Sequence, residues 1–292
     1  MRLGLGCAPL AGLYAAVSDE EARATVDAAW DAGIRFFDVA PLYGEGLAEK
    51  RLGAALADRP RDEYVLSTKV GRLVVDGEIV FDFSRDGVLR SLEESLERLG
   101  LDRVDVLLVH DPENHMEQAL GEALPAVREL RDQSVVRAIG AGMNFPEPLE
   151  RIARDGVDCV LMAGRYTLLD RSGLGLLDAC AELGVDVIAG GVLNSGILAG
   201  GTTFDYAPAP PELLARASAI FAECARRGVS PTAAALQFPL THPAVKRVLV
   251  GAGSASELRE DVEAFSARLD DQTVSAIAAS GVATRKEKLS SR

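Results

Sequence analysis

The chain is poor in the residues that build metal and redox centres. Its 292 residues include only four cysteines and three histidines. Cys7, Cys159, Cys180 and Cys224 lie far apart with no CxxC pair, which argues against a zinc ribbon or a disulfide framework and for a reducing cytoplasm. Positive charge is also scarce: 31 Lys and Arg stand against 44 Asp and Glu, a net charge of −13. That balance disfavours nucleic acid and membrane surfaces as partners, because both are polyanions. No apolar run approaches the ~20 residues of a membrane helix, and no low-complexity segment or charge block breaks the chain. The N-terminal "MRLGLGCAPLAGLYAAV" has the order of a secretory signal, but Gly4, Gly6 and Pro9 interrupt its apolar core, so it is not read as one.

What the chain does have is an alternation. Eight short apolar runs recur: 2–6, 34–40, 63–70, 104–110, 136–142, 157–164, 185–191 and 245–251. Most are continuous rather than alternating, the pattern of parallel strands buried on both faces. Amphipathic stretches separate them. The clearest runs from Ser18, an N-cap with Glu21 three residues later, to Gly33 as its stop. Further helix patterns cover 48–58, 85–100, 116–132, 210–228 and 254–269, and Trp30, at helical spacing from Val26, is expected in the core. Eight strand–helix units predict a single (β/α)8 TIM barrel, an α/β fold, over 1–292. An open doubly wound sheet is the runner-up, but it favours a GxGxxG turn after the first strand, and "GLGCAP" is not one.

In such a barrel the reactive face is the C-terminal end of the strands. The second strand ends at Asp38 with Tyr43 in the following turn, the third ends at Lys69, and the fourth at His110. Each residue alone has an ordinary explanation as a cap, a solvated cation or a packed ring. Together on one rim they suggest proton chemistry. A phenol has a pKa of about 10 and is a poor base at neutrality. An ammonium ~4 Å away, at an effective dielectric near 20, is worth about 4 kcal/mol before desolvation is deducted. The expectation is therefore a Tyr43 pKa lowered by about one to three. Asp38 would be the counter-ion that keeps Lys69 charged, and His110 would orient a substrate oxygen. An acid/base of this kind on an alcohol or carbonyl needs a hydride partner, which implies a nicotinamide cofactor.

With "FFDVAPLYG", "LSTKVG" and "LLVHDPE" in place, the chain resembles the aldo-keto reductases over nearly its whole length. The resemblance implies a barrel that binds NAD(P)H without a Rossmann domain and an Asp38, Tyr43, Lys69, His110 tetrad. "AGRYTLLD", "GGVLNSGILAGG", "FDYAPAPPELL" and "FPLTHPAVKRVLVGAGS" are similar to the branch of aldose 1-dehydrogenases acting on L-fucose, L-galactose and D-threo-aldoses, with pyridoxal 4-dehydrogenases nearby. It further implies that Asn144 holds the nicotinamide carboxamide, although Met143 stands where Ser is usual.

Barrel phosphate sites often follow the seventh and eighth strands, and Ser254 opens a helix whose N-terminus can hold pyrophosphate oxygens. The candidate cofactor residues there are Leu193, Ser195, Gly196, Gly251, Gly253, Ser254, Glu257 and Asp261. Many family members clasp the 2′-phosphate of NADP with basic residues where this chain has Gly253 and Glu257, so NAD is expected over NADP. Glu257 reads equally as a ribose contact or as a plain first-turn helix acid. Gly190 and Gly191 occupy the place of a common stacking aromatic. The segment 200–211 is either a flap over the site or a surface connection stiffened by prolines. Tyr206 within it, and Tyr14 after the first strand, are candidate pocket walls, with packing as the alternative for both.

The substrate is expected to be a small sugar, aldehyde or alcohol, and the assembly a monomer or small homo-oligomer. Two other classes compete. "HDPENH" offers His110, Asp111 and His115 to a metal, but barrel metal sites draw ligands from several strand ends, and no metal is expected. A cofactor-binding regulatory module with little turnover would keep the fold without needing a complete tetrad. The tail 282–292 is polar and basic and is expected to fray.

Overall fold

The eight apolar runs pair edge to edge as parallel strands and close on themselves. The computed structural model describes residues 1–13 and 15–281; Tyr14 and the tail 282–292 lie outside the described residues. In chain order the strands are β1 (Leu3–Gly6), β2 (Phe36–Asp38), β3 (Val65–Val70), β4 (Arg72–Val75), β5 (Glu78–Phe81), β6 (Val106–His110), β7 (Ala138–Met143), β8 (Cys159–Ala163), β9 (Asp186–Gly190), β10 (Thr203–Phe204), β11 (Ala207–Pro208) and β12 (Val245–Val250). The barrel runs β1-β2-β3-β6-β7-β8-β9-β12, and β12 returns to β1. The expected (β/α)8 architecture holds, and the open doubly wound sheet does not. Two hairpins, β4–β5 and β10–β11, stand apart from the barrel. The second lies in the segment read as an irregular flap or connection.

The helices are α1 (Asp19–Asp31), α2 (Leu47–Leu56), α3 (Arg85–Leu99), α4 (Met116–Gln118), α5 (Leu124–Asp132), α6 (Pro146–Arg154), α7 (Leu174–Leu183), α8 (Pro211–Arg227), α9 (Pro231–Gln237), α10 (Ala255–Ser266) and α11 (Asp271–Ser280). The expected cap of α1 is present in both directions: Glu21 N donates to Ser18 Oγ at 3.2 Å and Ser18 N to Glu21 Oε2 at 2.8 Å. The pattern over 116–132 is not one helix. It is α4 and α5 joined through a π turn, Ala119–Ala123. Trp30 meets the core expectation in part. It is half-buried and packs against the core, edge-on to Tyr64 with ring centroids 6.2 Å apart, while the Arg35 and Arg59 guanidiniums lie 3.7 Å and 4.7 Å from its ring centroid. None of the helices among the described residues is long and apolar enough to cross a membrane.

Successive residues of a strand face opposite sides of the sheet. One set, including Phe36, Val106, Leu108, Leu161, Ile188 and Leu249, packs together inside the barrel. The alternate set, including Phe37, Leu66, Leu107, Val109 and Val160, packs outward with helix residues such as Val26, Leu52 and Val88. Two steps of two residues along the inward set lead from Val106 to His110 and from Val65 to Lys69. One step leads from Phe36 to Asp38. The alternation that builds the core therefore also delivers the three polar groups to the C-terminal rim. At the other rim, Asp105 accepts Leu66 N at 2.8 Å and Arg61 Nη2 at 2.7 Å, and Asp158 accepts Ile139 N at 2.9 Å and Arg131 Nη1 at 3.0 Å. These carboxylates tie neighbouring strands at the end that carries stability rather than chemistry.

Gly140 shows how tightly the strands close. A Cβ there would sit 1.8 Å from the Cys159 carbonyl oxygen. Near the start of α7, a Cβ on Gly175 would meet nothing within 4 Å. The expected outcome in urea denaturation is that Gly140→Ala destabilises by about 1–3 kcal/mol, whereas Gly175→Ala is neutral or stabilises by up to about 1 kcal/mol. Equal stability of Gly140→Ala and wild type would contradict the close strand approach.

Candidate active site

The site is built around one buried ammonium. Lys69 ends the inward row of β3 and is 1% exposed, and Asp38, ending β2, is 3% exposed. Lys69 Nζ donates to Asp38 Oδ2 at 2.8 Å, to the Val39 carbonyl at 2.9 Å and to Tyr43 Oη at 3.1 Å. An ammonium has three hydrogens, and all three are used. The turn after β2 brings the phenol there. Gly44, Glu45 and Gly46 all have positive φ (59°, 56° and 81°), reversing the chain before α2 begins. The turn lies against the first loop, because a Cβ on Gly44 would be 2.6 Å from Ala11 Cβ. The His110 ring meets the Tyr43 ring edge-on, with centroids 6.0 Å apart at 89°.

The electrostatics correct one expectation. The Tyr43 phenol is not lowered. Burial pushes it up to about 12, with Lys69 pulling down and Asp38 pushing up. The expectation weighed the ammonium alone, whereas the phenol loses water and faces an ammonium already half-neutralised by Asp38. Tyr43 is therefore a protonated phenol at neutral pH. On Lys69, burial works against the charge, but Asp38 and then Tyr43 outweigh it and its pKa is raised. Burial, then the charges of Lys69 and Arg72, hold His110 well below the usual imidazole range, so it is neutral. Its Nδ1 is buried without a partner.

Above this cluster opens a cavity of about 460 Å³. Tyr43, Lys69, His110, Met143, Asn144 and Tyr206 line it together with Arg72, Asp111 and Glu113. Of the predicted residues, Tyr43, Lys69, His110, Asn144 and Tyr206 thus share one chamber, and Asp38 sits beneath Lys69 rather than on the wall. Tyr14 lies outside the described residues. Arg165 ties the flap to this chamber: its Nε donates to the Asn144 carbonyl at 3.0 Å, and Nη1 and Nη2 grip Asp205 at 3.1 and 2.9 Å.

The predicted cofactor residues beyond Asn144 lie after β9 and β12, outside the lining of this chamber. Asn194, Ser195 and Gly196 have φ of 47°, 57° and 97°. Asn194 Nδ2 donates to the Gly164 carbonyl at 3.2 Å, and Ser195 Oγ accepts Tyr206 N at 3.1 Å. Leu193 is half-buried in the same turn. A side chain at Gly191 is disfavoured, since its φ is +59° and a Cβ would lie 3.1 Å from Gly164 N. At Gly191 the absence of a ring is thus built into the backbone, whereas a Cβ on Gly190 would meet only ordinary contact, 3.5 Å from Leu161 Cδ2. Gly251 packs on the first loop, where a Cβ would come 2.9 Å from Pro9 Cγ. Ser254 caps α10, accepting Glu257 N at 3.2 Å, and Glu257 Oε2 accepts Gly253 N at 2.8 Å. Asp261 is 6% exposed, with Oδ2 unpartnered. Burial, then Glu257 and Glu260, push it up to about 7. The residues fit a nicotinamide dinucleotide: a capped helix start, an orphaned buried carboxyl oxygen, and an amide on the wall of the chamber that Tyr43 and Lys69 line.

Arg72, Glu113 and Asn194 were not singled out from the sequence, and Asp111 was weighed only as a metal ligand. A signal for Arg72 was present. "RLVVDGEIVF" places Asp-Gly between apolar runs, a two-residue hairpin signature. Asp76 and Gly77 adopt the required positive φ, 52° and 80°. His115 stacks on Phe81 of that hairpin, ring centroids 5.0 Å apart.

Comparison with known proteins agrees with this geometry. The profile of the Aldo/keto reductase family matches residues 2–281. The chain is 43% identical to D-threo-aldose 1-dehydrogenase of a Pseudomonas species, over 89% of this chain and 88% of that one. It is 38% identical to pyridoxal 4-dehydrogenase of Microbacterium luteolum, over 92% and 91%. It is 37% identical to L-galactose dehydrogenase of Arabidopsis thaliana, over 95% and 89%. Among solved structures, the holo form of an aldo-keto reductase from Bacillus halodurans superposes with a TM-score of 0.78 at 25% identity, covering 98% of this chain and 95% of that one. The barrel, the buried ammonium and these matches together make the chain a member of the aldo/keto reductase family, an oxidoreductase acting on CH–OH and carbonyl groups.

Proposed function

We propose that the chain oxidises an aldose at C1 to the lactone, with NAD preferred over NADP and with Tyr43 as the group that moves the proton. The observation that carries this reading is the Lys69 ammonium, 3.1 Å from the phenol oxygen and 2.8 Å from Asp38, on the wall of a cavity that opens beside them. The choice of an aldose is supported by the names of two relatives, a D-threo-aldose 1-dehydrogenase and an L-galactose dehydrogenase.

A bound nicotinamide dinucleotide would supply the hydride acceptor. The protein's own residues handle the proton. Tyr43, as the phenolate, takes it from the anomeric hydroxyl and becomes the phenol, and Lys69, held charged and aimed by Asp38, favours the phenolate that must form first. Neutral His110 orients the substrate oxygen by a hydrogen bond. In the reverse direction the protonated phenol is the acid, the form it already holds at neutral pH. Asn144 would hold the carboxamide, and the loops after β9 and β12 the rest of the cofactor. The preference for NAD is supported by the loop after β12, where Gly253 and Glu257 stand in place of a basic clasp and the Glu257 carboxylate caps the backbone. A 2′-phosphate there would face a like charge.

Two measurements check this. Tyr43→Phe is expected to lower turnover with D-threo-aldoses, L-fucose or L-galactose by about 10²–10⁴-fold, while NAD affinity from fluorescence titration changes by less than about threefold, under 1 kcal/mol. Turnover equal to wild type would remove Tyr43 from the chemistry. Separately, kcat/KM with NAD should exceed that with NADP by about tenfold or more, equivalent to one like-charge contact of about 1.4 kcal/mol. A clear preference for NADP would contradict the role given to Gly253 and Glu257.

A further inference from the structure

One wall of the chamber is charged and has no part in the proton transfer. Asp111 follows His110 in a left-handed conformation, φ 46°, which non-glycine residues seldom adopt but Asp tolerates. That turn sets its carboxylate in an ion pair with Arg72 and 3.7 Å from His110 Nε2. Arg72 is carried by the β4–β5 hairpin. Its register partner Phe81 lies beneath its guanidinium, 5.7 Å from Cζ to the ring centroid, and Phe81 in turn stacks on His115 at 5.0 Å. Glu113, two residues on, completes the wall. Glu113 Oε2 and Arg72 Nε are both buried without a hydrogen-bond partner. Buried polar atoms are normally satisfied, and the side chains that carry these two line the chamber.

We propose that Arg72, Asp111 and Glu113 read the non-reacting hydroxyls of a neutral, polyhydroxylated substrate. A hydroxyl is both donor and acceptor. The two carboxylates take hydroxyl hydrogens, and Arg72 donates N–H to a hydroxyl oxygen. A substrate lacking hydroxyls would displace water from three charged groups and return nothing, a mismatch that protein sites reject strongly. An anionic sugar would face two carboxylates against one guanidinium and be disfavoured as well. The β4–β5 hairpin is then a specificity arm. It rests on the aldose reading only for the identity of the substrate, because hydroxyl recognition applies equally to carbonyl reduction.

The test is a cycle between substrate and side chain. Reduction of D-glyceraldehyde and of propanal is followed with the reduced nicotinamide cofactor, in wild type, Glu113→Gln and Asp111→Asn. Asn accepts the same left-handed backbone, and a thermal melt of each variant verifies folding. Wild type is expected to favour glyceraldehyde by about a hundredfold in kcat/KM, and each variant to reduce that ratio about tenfold. A wild-type ratio near one, or an unchanged ratio in both variants, overturns the proposal. If the ratio behaves as expected but no aldose is oxidised at C1, the aldose reading fails and the hydroxyl-reading wall stands. If aldoses are oxidised and the variants match wild type, the wall fails and the aldose reading stands.

Discussion

The site depends on keeping an ammonium charged while it is almost wholly buried. Lys69 is buried at the mouth of the barrel, and isolated burial would push its proton off. Asp38 prevents that at 2.8 Å, and the Val39 carbonyl and Tyr43 hydroxyl satisfy the remaining hydrogens at 2.9 and 3.1 Å. Removing one partner of such a pair leaves an uncompensated charge, at a typical cost of about 3–5 kcal/mol. The pair is thus a poor source of stability. Its value lies in a fixed positive charge beside a phenol, and the neighbouring structure supports it. β2 and β3 are adjacent, with Asp38 paired to Ser67 two residues before Lys69, and the turn over Gly44–Gly46 swings Tyr43 back across the ammonium.

The barrel converts a period-two pattern into a site. Val65 and Val106 start inward rows whose ends are Lys69 and His110. Gly142 lies opposite His110 on β7 and beside the lysine stem, where a Cβ would make ordinary contact with Lys69 Cε at 3.7 Å. Outside the barrel, the additions are specific to the chamber. The β4–β5 hairpin supplies Arg72, the turn after β6 supplies Asp111 and Glu113, and Arg165 fastens the β10–β11 flap beside Asn144.

Much of this could be read in the sequence, for a physical reason. Parallel strands buried on both faces give continuous apolar runs, and polar residues at the ends of such runs have few places to go but the rim. Asp38, Lys69 and His110 were legible on that ground, and Ser18 as a cap and Ser254 as a helix start because such signals are local. What was not legible depended on three-dimensional surroundings. The direction of the Tyr43 shift is set by burial against Lys69 and Asp38 together, and residue types do not show how dry a site is. The Val39 carbonyl is backbone and leaves no mark in the sequence. Trp30 sits at a core spacing and does pack against the core, but its partial burial and the Arg35 and Arg59 guanidiniums over its ring depend on surroundings that spacing does not show. The Asp76-Gly77 hairpin was legible in principle, but its apolar run is solvent-facing, with Val75, Ile79, Val80 and Phe81 all exposed, and it fell outside the eight-fold alternation.

The central claim is that Tyr43 moves the proton under the influence of Lys69, and the pH dependence of oxidation tests it most directly. A phenol near 12 in the free protein is almost wholly protonated at neutrality, so the basic form needed for oxidation grows about tenfold for each pH unit below its pKa. Oxidative kcat/KM measured from pH 6 to 9 at saturating cofactor should therefore climb steadily. In Lys69→Met, which loses the charge favouring the phenolate, it should lie far below wild type throughout. A wild-type rate that is the same at pH 6 and pH 9, or a Lys69→Met variant that follows the wild-type curve, would contradict the account.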